Sequence, residues 1–166
     1  MINEEEAEAF FNNQDKELKN AVKREQSFID DLETQLIKVA FDCYPEFENR
    51  KEEIVERIKP DVHEAVIGVN DLLSGYIHLK MEADDERDGN YNVPYKNEIE
   101  FEELYKKREY EFLMKCHEKV KEMITIYYPE FMELSGNTIR QINFMAYCSM
   151  LNPVTGFIFV VYNEDV

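Results

Sequence analysis

The chain has 166 residues, of which 44% are hydrophobic and 13% aromatic, a composition typical of a single globular domain with one sizeable core. Asp and Glu total 36 against 19 Lys and Arg, which gives a formal net charge of −17. A surface of that sign repels nucleic acid and anionic membranes and attracts basic partners, so direct binding to nucleic acid or to a membrane is not expected. The alternative is that the charge serves solubility alone.

The first half begins with a predicted long amphipathic helix. Apolar residues recur at spacings of three, four and seven from Leu18 to Cys43, which places them on one helical face. A short helix over about 4–11 is expected to precede it. Pro45 is expected to end the long helix, because its ring removes a backbone donor and clashes with the preceding turn.

A shorter helix and a β-hairpin are predicted to follow. The helix covers Glu48 to Lys59, and Pro60 is expected to end it. The hydrophobic period then changes to two, so residues 62–69 and 76–83 are predicted to be antiparallel strands. Polar residues alternate with apolar ones in the second of them, which indicates a strand with one buried face.

An acidic, loop-like stretch over residues 85–98 connects the two halves. Counted from Asp84, acids at positions one, three and five and Gly89 at position six match a calcium-binding EF-hand loop. Position twelve is Tyr95, however, where that loop needs a bidentate Glu. The sequence therefore predicts a solvated acidic turn and no metal site.

The second half repeats the predicted order of elements. A helix that reaches Tyr127 is expected to end at Pro129, and strands over 142–150 and 157–162 are expected to form a hairpin. Asn-Pro and Thr-Gly between those strands are typical turn pairs. The last strand is apolar on both faces, so it is expected to lie centrally or to present one face to a partner, and we favour the central position.

Two short motifs recur in register and indicate an internal duplication. The tetrapeptide Tyr-Pro-Glu-Phe and the tripeptide Lys-Arg-Glu each occur twice at an offset of 84. They lie at 23–25, 44–47, 107–109 and 128–131. Segments 74–84 and 155–165 match at an offset of 81. The alternative is that similar amphipathic elements have converged, but the matching blocks keep their order in both halves.

The predicted fold is therefore one α+β domain over residues 1–166. Internally duplicated helix-plus-β-hairpin units, at about 13–84 and 99–166, are expected to form one antiparallel sheet packed by the long helices. Three cysteines without a C-x-x-C spacing favour a reduced, cytoplasmic protein. The acidic N-terminus and the absence of an 18-residue apolar run predict neither a signal peptide nor a transmembrane helix.

The sequence offers no recognisable catalytic or metal-binding constellation. His63, His78 and His117 have no second ligand at helical spacing, and phosphate-binding glycine motifs and nucleophile motifs are absent. Cys116 and His117 are helical neighbours that point to different faces, so a core cysteine beside a surface histidine is expected. We predict a non-enzymatic protein without a cofactor; an enzyme of unfamiliar type is the alternative.

The second half and the connecting stretch resemble the YezG-like immunity proteins. The residues that carry the resemblance are the NYNVPY turn at 90–95, the helix over 102–127 and the segment 142–165. The chain departs from the family in an extra helical segment before the first hairpin and in lacking a tryptophan common just before the family's hairpins. The resemblance implies an acidic antitoxin that binds and blocks a polymorphic toxin, often a nuclease.

The predicted function is an acidic binding protein that neutralises a basic protein partner, such as a nuclease toxin, because a carboxylate-rich surface can occupy a groove built for phosphates. The alternative is an acidic chaperone for an exported effector. The protein is expected to be a monomer or a homodimer. The predicted contact residues are the acids of the connecting turn and of the tail, namely Asp84, Asp85, Glu86, Asp88, Glu164 and Asp165.

Overall fold

A computed structural model describes residues 3–77 and 107–162, which form two helical hairpins. Each hairpin consists of two long helices joined by a short 3₁₀ helix. The long helices are α1 (Glu4–Cys43), α2 (Lys51–Ile77), α3 (Lys107–Tyr127) and α4 (Gly136–Tyr162), and the 3₁₀ helices are Pro45–Arg50 and Pro129–Glu133. Because α1 packs on α2 and α3, and α4 also packs on α2 and α3, the four helices enclose one core.

The predicted α+β fold is wrong, because no strand occurs among the described residues. Segment 62–69 lies inside α2, and segments 142–150 and 157–162 lie inside α4, while 78–83 lies outside the described residues. The buried side chains of α2 are three or four positions apart, as in Ile54, Ile58, Val62, Val66, Val69 and Leu73. Short apolar runs of a core helix resemble strands, and the period alone does not separate the two.

Two prolines that were expected to mark breaks lie inside helices instead. Pro60 is within α2 and Pro153 is within α4. An interior proline removes one backbone hydrogen bond and costs about 3 kcal/mol. The buried face of each helix continues on both sides of its proline, from Ile58 to Val62 in α2 and from Met150 to Val154 in α4. Packing of that face outweighs the local cost.

α1 is one continuous helix, so the short helix expected over 4–11 is not separate. Its start is capped reciprocally, because Asn3 Oδ1 accepts the Glu6 N–H at 2.7 Å and the Glu6 carboxylate accepts the Asn3 N–H at 3.3 Å. The predicted helix ends at Pro45 and Pro129 are confirmed, since α1 ends at Cys43 and α3 at Tyr127.

Most buried positions of the two hairpins correspond at an offset of 84. The corresponding pairs are Phe28 and Phe112, Leu32 and Cys116, Leu36 and Val120, Ile58 and Ile142, Val66 and Met150, Leu73 and Phe157, and Tyr76 and Val160. Near the end of each half, the sequence predicts an offset of 81, but the buried residues there match better at 84. At 81 the buried Ile77 corresponds to Ile158, which is only partly buried.

The repeated motifs contact each other across the two hairpins. Arg24, in the first Lys-Arg-Glu, lies over the ring of Tyr128 at 4.3 Å from its centroid. Its Nη1 donates to both carboxylate oxygens of Glu130 at 3.0 Å. Tyr128 and Glu130 belong to the second Tyr-Pro-Glu-Phe, so the tripeptide of one half binds the tetrapeptide of the other.

The reciprocal contact occurs at the opposite end of the pair. Arg108 lies over the ring of Tyr44 at 4.1 Å, and its Nη2 donates to Glu46 Oε2 at 2.6 Å. The same guanidinium donates twice to the Cys43 carbonyl, at 2.7 and 3.0 Å, and so satisfies an acceptor at the end of α1. Because each arginine reaches the far end of the other long helix, α1 and α3 run antiparallel.

Candidate protein-binding surface

The six acids predicted to contact a partner lie outside the described residues. They are Asp84, Asp85, Glu86, Asp88, Glu164 and Asp165. Their role stays a prediction. Among the described residues, the candidate contact acids lie on the first hairpin.

Charge is divided unequally between the hairpins. Residues 3–77 carry 19 acidic and nine basic side chains, a net charge of −10, whereas residues 107–162 carry six of each. Both hairpins have the same order of elements, so the fold itself does not require the difference. The total charge of the chain hides this division, which a separate count for each half of the sequence reveals.

Many acids of the first hairpin lie on its 3₁₀ helix and on the outward face of α2. The exposed ones are Glu46, Glu48, Glu52, Glu53, Glu56, Glu64 and Asp71, which we call the acidic surface. A hydrogen bond from Arg108 holds the pKa of Glu46 below its usual value, so that carboxylate stays charged at neutral pH. Arg50 and Lys51 share a shallow concavity with three of these acids, so the surface is acidic with basic residues interspersed.

The first 20 residues of α1 (4–23) form an arm that is exposed along nearly its whole length. Its large apolar side chains, Phe10, Phe11, Leu18 and Val22, are 56–65% exposed. Val22 lies seven residues before the buried Ile29, so part of this apolar set continues the core stripe of α1. The arm therefore offers apolar contacts outside the core.

Cys116 and His117 are both buried, so the expected surface position of His117 is wrong. His117 is 3% exposed, and its Nε2 donates to the Asn143 carbonyl at 3.1 Å. Two neighbouring helical residues are both covered because α1 and α4 pack on different sides of α3. Burial, and then the charge of Lys121, lowers the pKa of His117, while burial raises the pKa of the Cys116 thiol.

These buried groups do not form a reactive site. A thiol with a raised pKa is a poor nucleophile at neutral pH. Within residues 3–77 and 107–162, no group of three potential metal ligands occurs. The apolar cavity between the helices, lined by Leu36, Ile58, Cys116 and Phe157 among others, measures about 10 Å³ and is too small for a substrate.

The two tyrosines of the repeated tetrapeptide differ in their polar partners. Tyr128 donates its hydroxyl to Asn70 Oδ1 at 3.2 Å, whereas the hydroxyl of Tyr44 has no hydrogen-bond partner among the described residues. The position 84 residues after Asn70 is Val154, whose side chain has no acceptor. Burial raises the pKa of Tyr128 to about 12, and burial followed by the charge of Glu109 raises the pKa of Tyr44.

α4 is long and apolar enough to cross a membrane by length and composition. Its most apolar window has a mean hydropathy of 1.6, and 44% of that window is buried inside the bundle. The window contains polar residues such as Ser149 and Asn152, so it is not an unbroken apolar run, and the absence of a transmembrane helix stays a prediction. A core helix of a soluble protein meets the same two criteria, and α4 packs against α2 and α3.

No protein-family model matches the chain, and comparison with curated proteins and with solved structures gives no match. The resemblance to YezG-like immunity proteins therefore stays a prediction. The hairpin on which it partly rests is helical over 142–162. The charge of the acidic surface is the feature that indicates a function.

Proposed function

We propose that the protein is a non-enzymatic, acidic binding protein that neutralises a basic protein partner, such as a nuclease toxin. The observation that carries this proposal is the net charge of −10 on the first hairpin beside a neutral second hairpin. A groove that binds phosphates is lined with Lys and Arg, and the acidic surface supplies the complementary charge. The free cysteines favour a cytoplasmic location.

The acids of the connecting turn and of the tail are proposed to contribute to the same contact. Reversing the charges of Asp84, Asp85, Glu86 and Asp88 is expected to abolish inhibition of the partner without lowering the free energy of unfolding. Loss of folding in that variant would show that these acids are structural.

A pair of matched charge-reversal variants tests the acidic surface. One variant combines Glu52→Lys, Glu56→Lys and Glu64→Lys on α2. The control combines Glu111→Lys, Glu118→Lys and Glu122→Lys on α3, where all three positions are exposed too. Both variants change the net charge equally. Binding to a basic ribonuclease is measured by isothermal titration calorimetry between about 50 and 300 mM salt, a range over which screening between exposed charges changes strongly.

The α2 variant is expected to bind the ribonuclease at least about tenfold more weakly than the α3 variant, and wild-type affinity is expected to fall steeply with salt. Equal losses in the two variants would mean that total charge, and not the acidic surface, determines binding. Binding that is insensitive to salt would contradict the proposal.

A chaperone for an exported effector is the second candidate, and the exposed apolar arm favours it. Apolar contacts depend little on ionic strength, in contrast to ion pairs. Under this hypothesis Phe11→Ser with Leu18→Ser lowers the affinity for an unfolded amphipathic peptide, while the three α2 reversals leave it unchanged. Measuring the ribonuclease and the peptide against both sets of variants therefore separates the two functions.

A further inference from the structure

Beyond Arg140, the outward face of α4 carries no charge, although 33% of the chain consists of charged residues. From Gln141 to Tyr162 there is no Asp, Glu, Lys or Arg. Exposed positions recur there at alternating spacings of three and four. These positions, which we call the α4 seam, are Met145, Cys148, Asn152, Thr155, Phe159 and Tyr162. The large members Met145, Phe159 and Tyr162 are 41%, 57% and 52% exposed.

The equivalent face of α2 shows that the bundle does not require an uncharged seam. Counted back by 84, the first four positions of the seam correspond to Asp61, Glu64, Gly68 and Asp71. Three of these four are acids, at the same place in a hairpin of the same construction. The α4 seam is therefore a property of the second hairpin alone.

We propose that two copies of the chain pair through the α4 seam as an antiparallel helix pair. Alternating spacings of three and four are the heptad pattern of helices that pack along each other. One antiparallel register lets every seam residue meet another seam residue. In it Met145 lies opposite the partner's Tyr162, Cys148 opposite the partner's Phe159, and Asn152 opposite the partner's Thr155.

The chemistry of these pairs favours that register. Sulfur atoms of Met145 and Cys148 meet aromatic rings, which is a favourable contact. The amide of Asn152 and the hydroxyl of Thr155 lie next to the two-fold axis, where each can donate and accept. A polar residue in an otherwise apolar seam selects one register over its neighbours. Antiparallel helices also oppose their macrodipoles.

The distribution of charge identifies a second copy as the occupant. Residues 107–162 are electrically neutral, so two copies approach there with less repulsion than through the first hairpin, which carries −10. A membrane does not fit as well, because the net charge of −17 is repelled by anionic lipid and much of α4 is buried in the bundle. The seam spans 18 residues from Met145 to Tyr162, roughly 26 Å of helix. A contact of that length is at the small end of specific interfaces, so we expect a dissociation constant on the order of micromolar.

The oligomeric state of the full chain tests the proposal. Sedimentation velocity is expected to show a monomer–dimer equilibrium for the wild type, and Phe159→Glu is expected to weaken it at least about tenfold, because a carboxylate would be buried without a partner. Met132→Glu is the matched control, since Met132 is 66% exposed outside α4. Circular dichroism at 222 nm verifies that all variants keep their helices.

A cysteine substitution tests the register. Phe159→Cys places a thiol opposite the partner's Cys148, so air oxidation should give a disulfide-linked dimer that disappears when Cys148→Ser is added. A wild-type dimer cross-linked through Cys148 alone would overturn this register, because it would place the two Cys148 side chains opposite each other. A monomer at all concentrations, equal weakening by Met132→Glu, or binding to lipid vesicles in place of self-association would overturn the proposal itself.

Discussion

Replacing Tyr128 by Phe removes one buried hydroxyl and leaves the packing of the ring in place, including its edge-to-face contact with Phe28 at 5.4 Å. The substitution deletes the hydrogen bond to Asn70, whose side chain is 5% exposed and is left without this donor. The lost hydrogen bond and the desolvated acceptor together are expected to lower the free energy of unfolding by about 1.5 kcal/mol. Tyr44→Phe removes a hydroxyl that has no described partner, so it is expected to be neutral or to stabilise by about 1 kcal/mol.

The chain contains no tryptophan, so urea unfolding is best followed by circular dichroism at 222 nm. The expected result is a lower midpoint for Tyr128→Phe with an unchanged m-value, and an equal or higher midpoint for Tyr44→Phe. Equal destabilisation by the two Tyr→Phe substitutions would refute the reasoning, because it would show that Tyr44 has a partner as good as Asn70.

Two further predictions concern the contact between the hairpins and the buried histidine. In a double-mutant cycle, Arg24→Met and Glu130→Gln should couple by about 1 kcal/mol. Arg24→Met and Glu46→Gln should be additive, because Glu46 accepts a hydrogen bond from Arg108. Coupling between Arg24 and Glu46 would contradict the antiparallel pairing of α1 and α3. Burial lowers the folded pKa of His117, so the unfolded chain takes up that proton first and stability should fall as pH drops below about 6.5. The midpoint of urea unfolding should depend less on pH in His117→Gln than in His63→Gln. An equal pH dependence of the midpoint in the two variants would show that His117 is not the group responsible.

The sequence predicts well those features that depend on a few adjacent residues. Pro45 and Pro129 each follow a complete amphipathic stripe, and a proline there leaves the next turn without a donor, so both helix ends are correct. Pro60 and Pro153 have the same local chemistry, yet the helices continue through them. The difference is the apolar face on the far side of each proline, whose burial depends on contacts between α2 and α4 that lie far apart in the chain.

The second half of α4 shows why the predicted strands failed. Residues 157–162 are apolar at every position, so a period of two and a period of 3.6 describe them equally well. One side of this run is covered by the core and the other is the uncharged seam, and only the packed structure separates the two. The predicted partner-binding acids lie in the connecting turn and the tail, whereas the unequal charge of the two hairpins is visible in the sequence itself.

The unequal charge of the hairpins has a consequence for how the bundle closes. A hairpin that contains both Lys-Arg-Glu and Tyr-Pro-Glu-Phe is complementary to any hairpin with the same motifs, including a copy of itself. Pairing two first hairpins from different chains would bring together a net charge of −20, twice the −10 of one copy. Pairing the first hairpin with the neutral second hairpin of its own chain avoids that repulsion. The charge difference thus disfavours the pairing of two first hairpins from different molecules, relative to the pairing of a first hairpin with a neutral second hairpin.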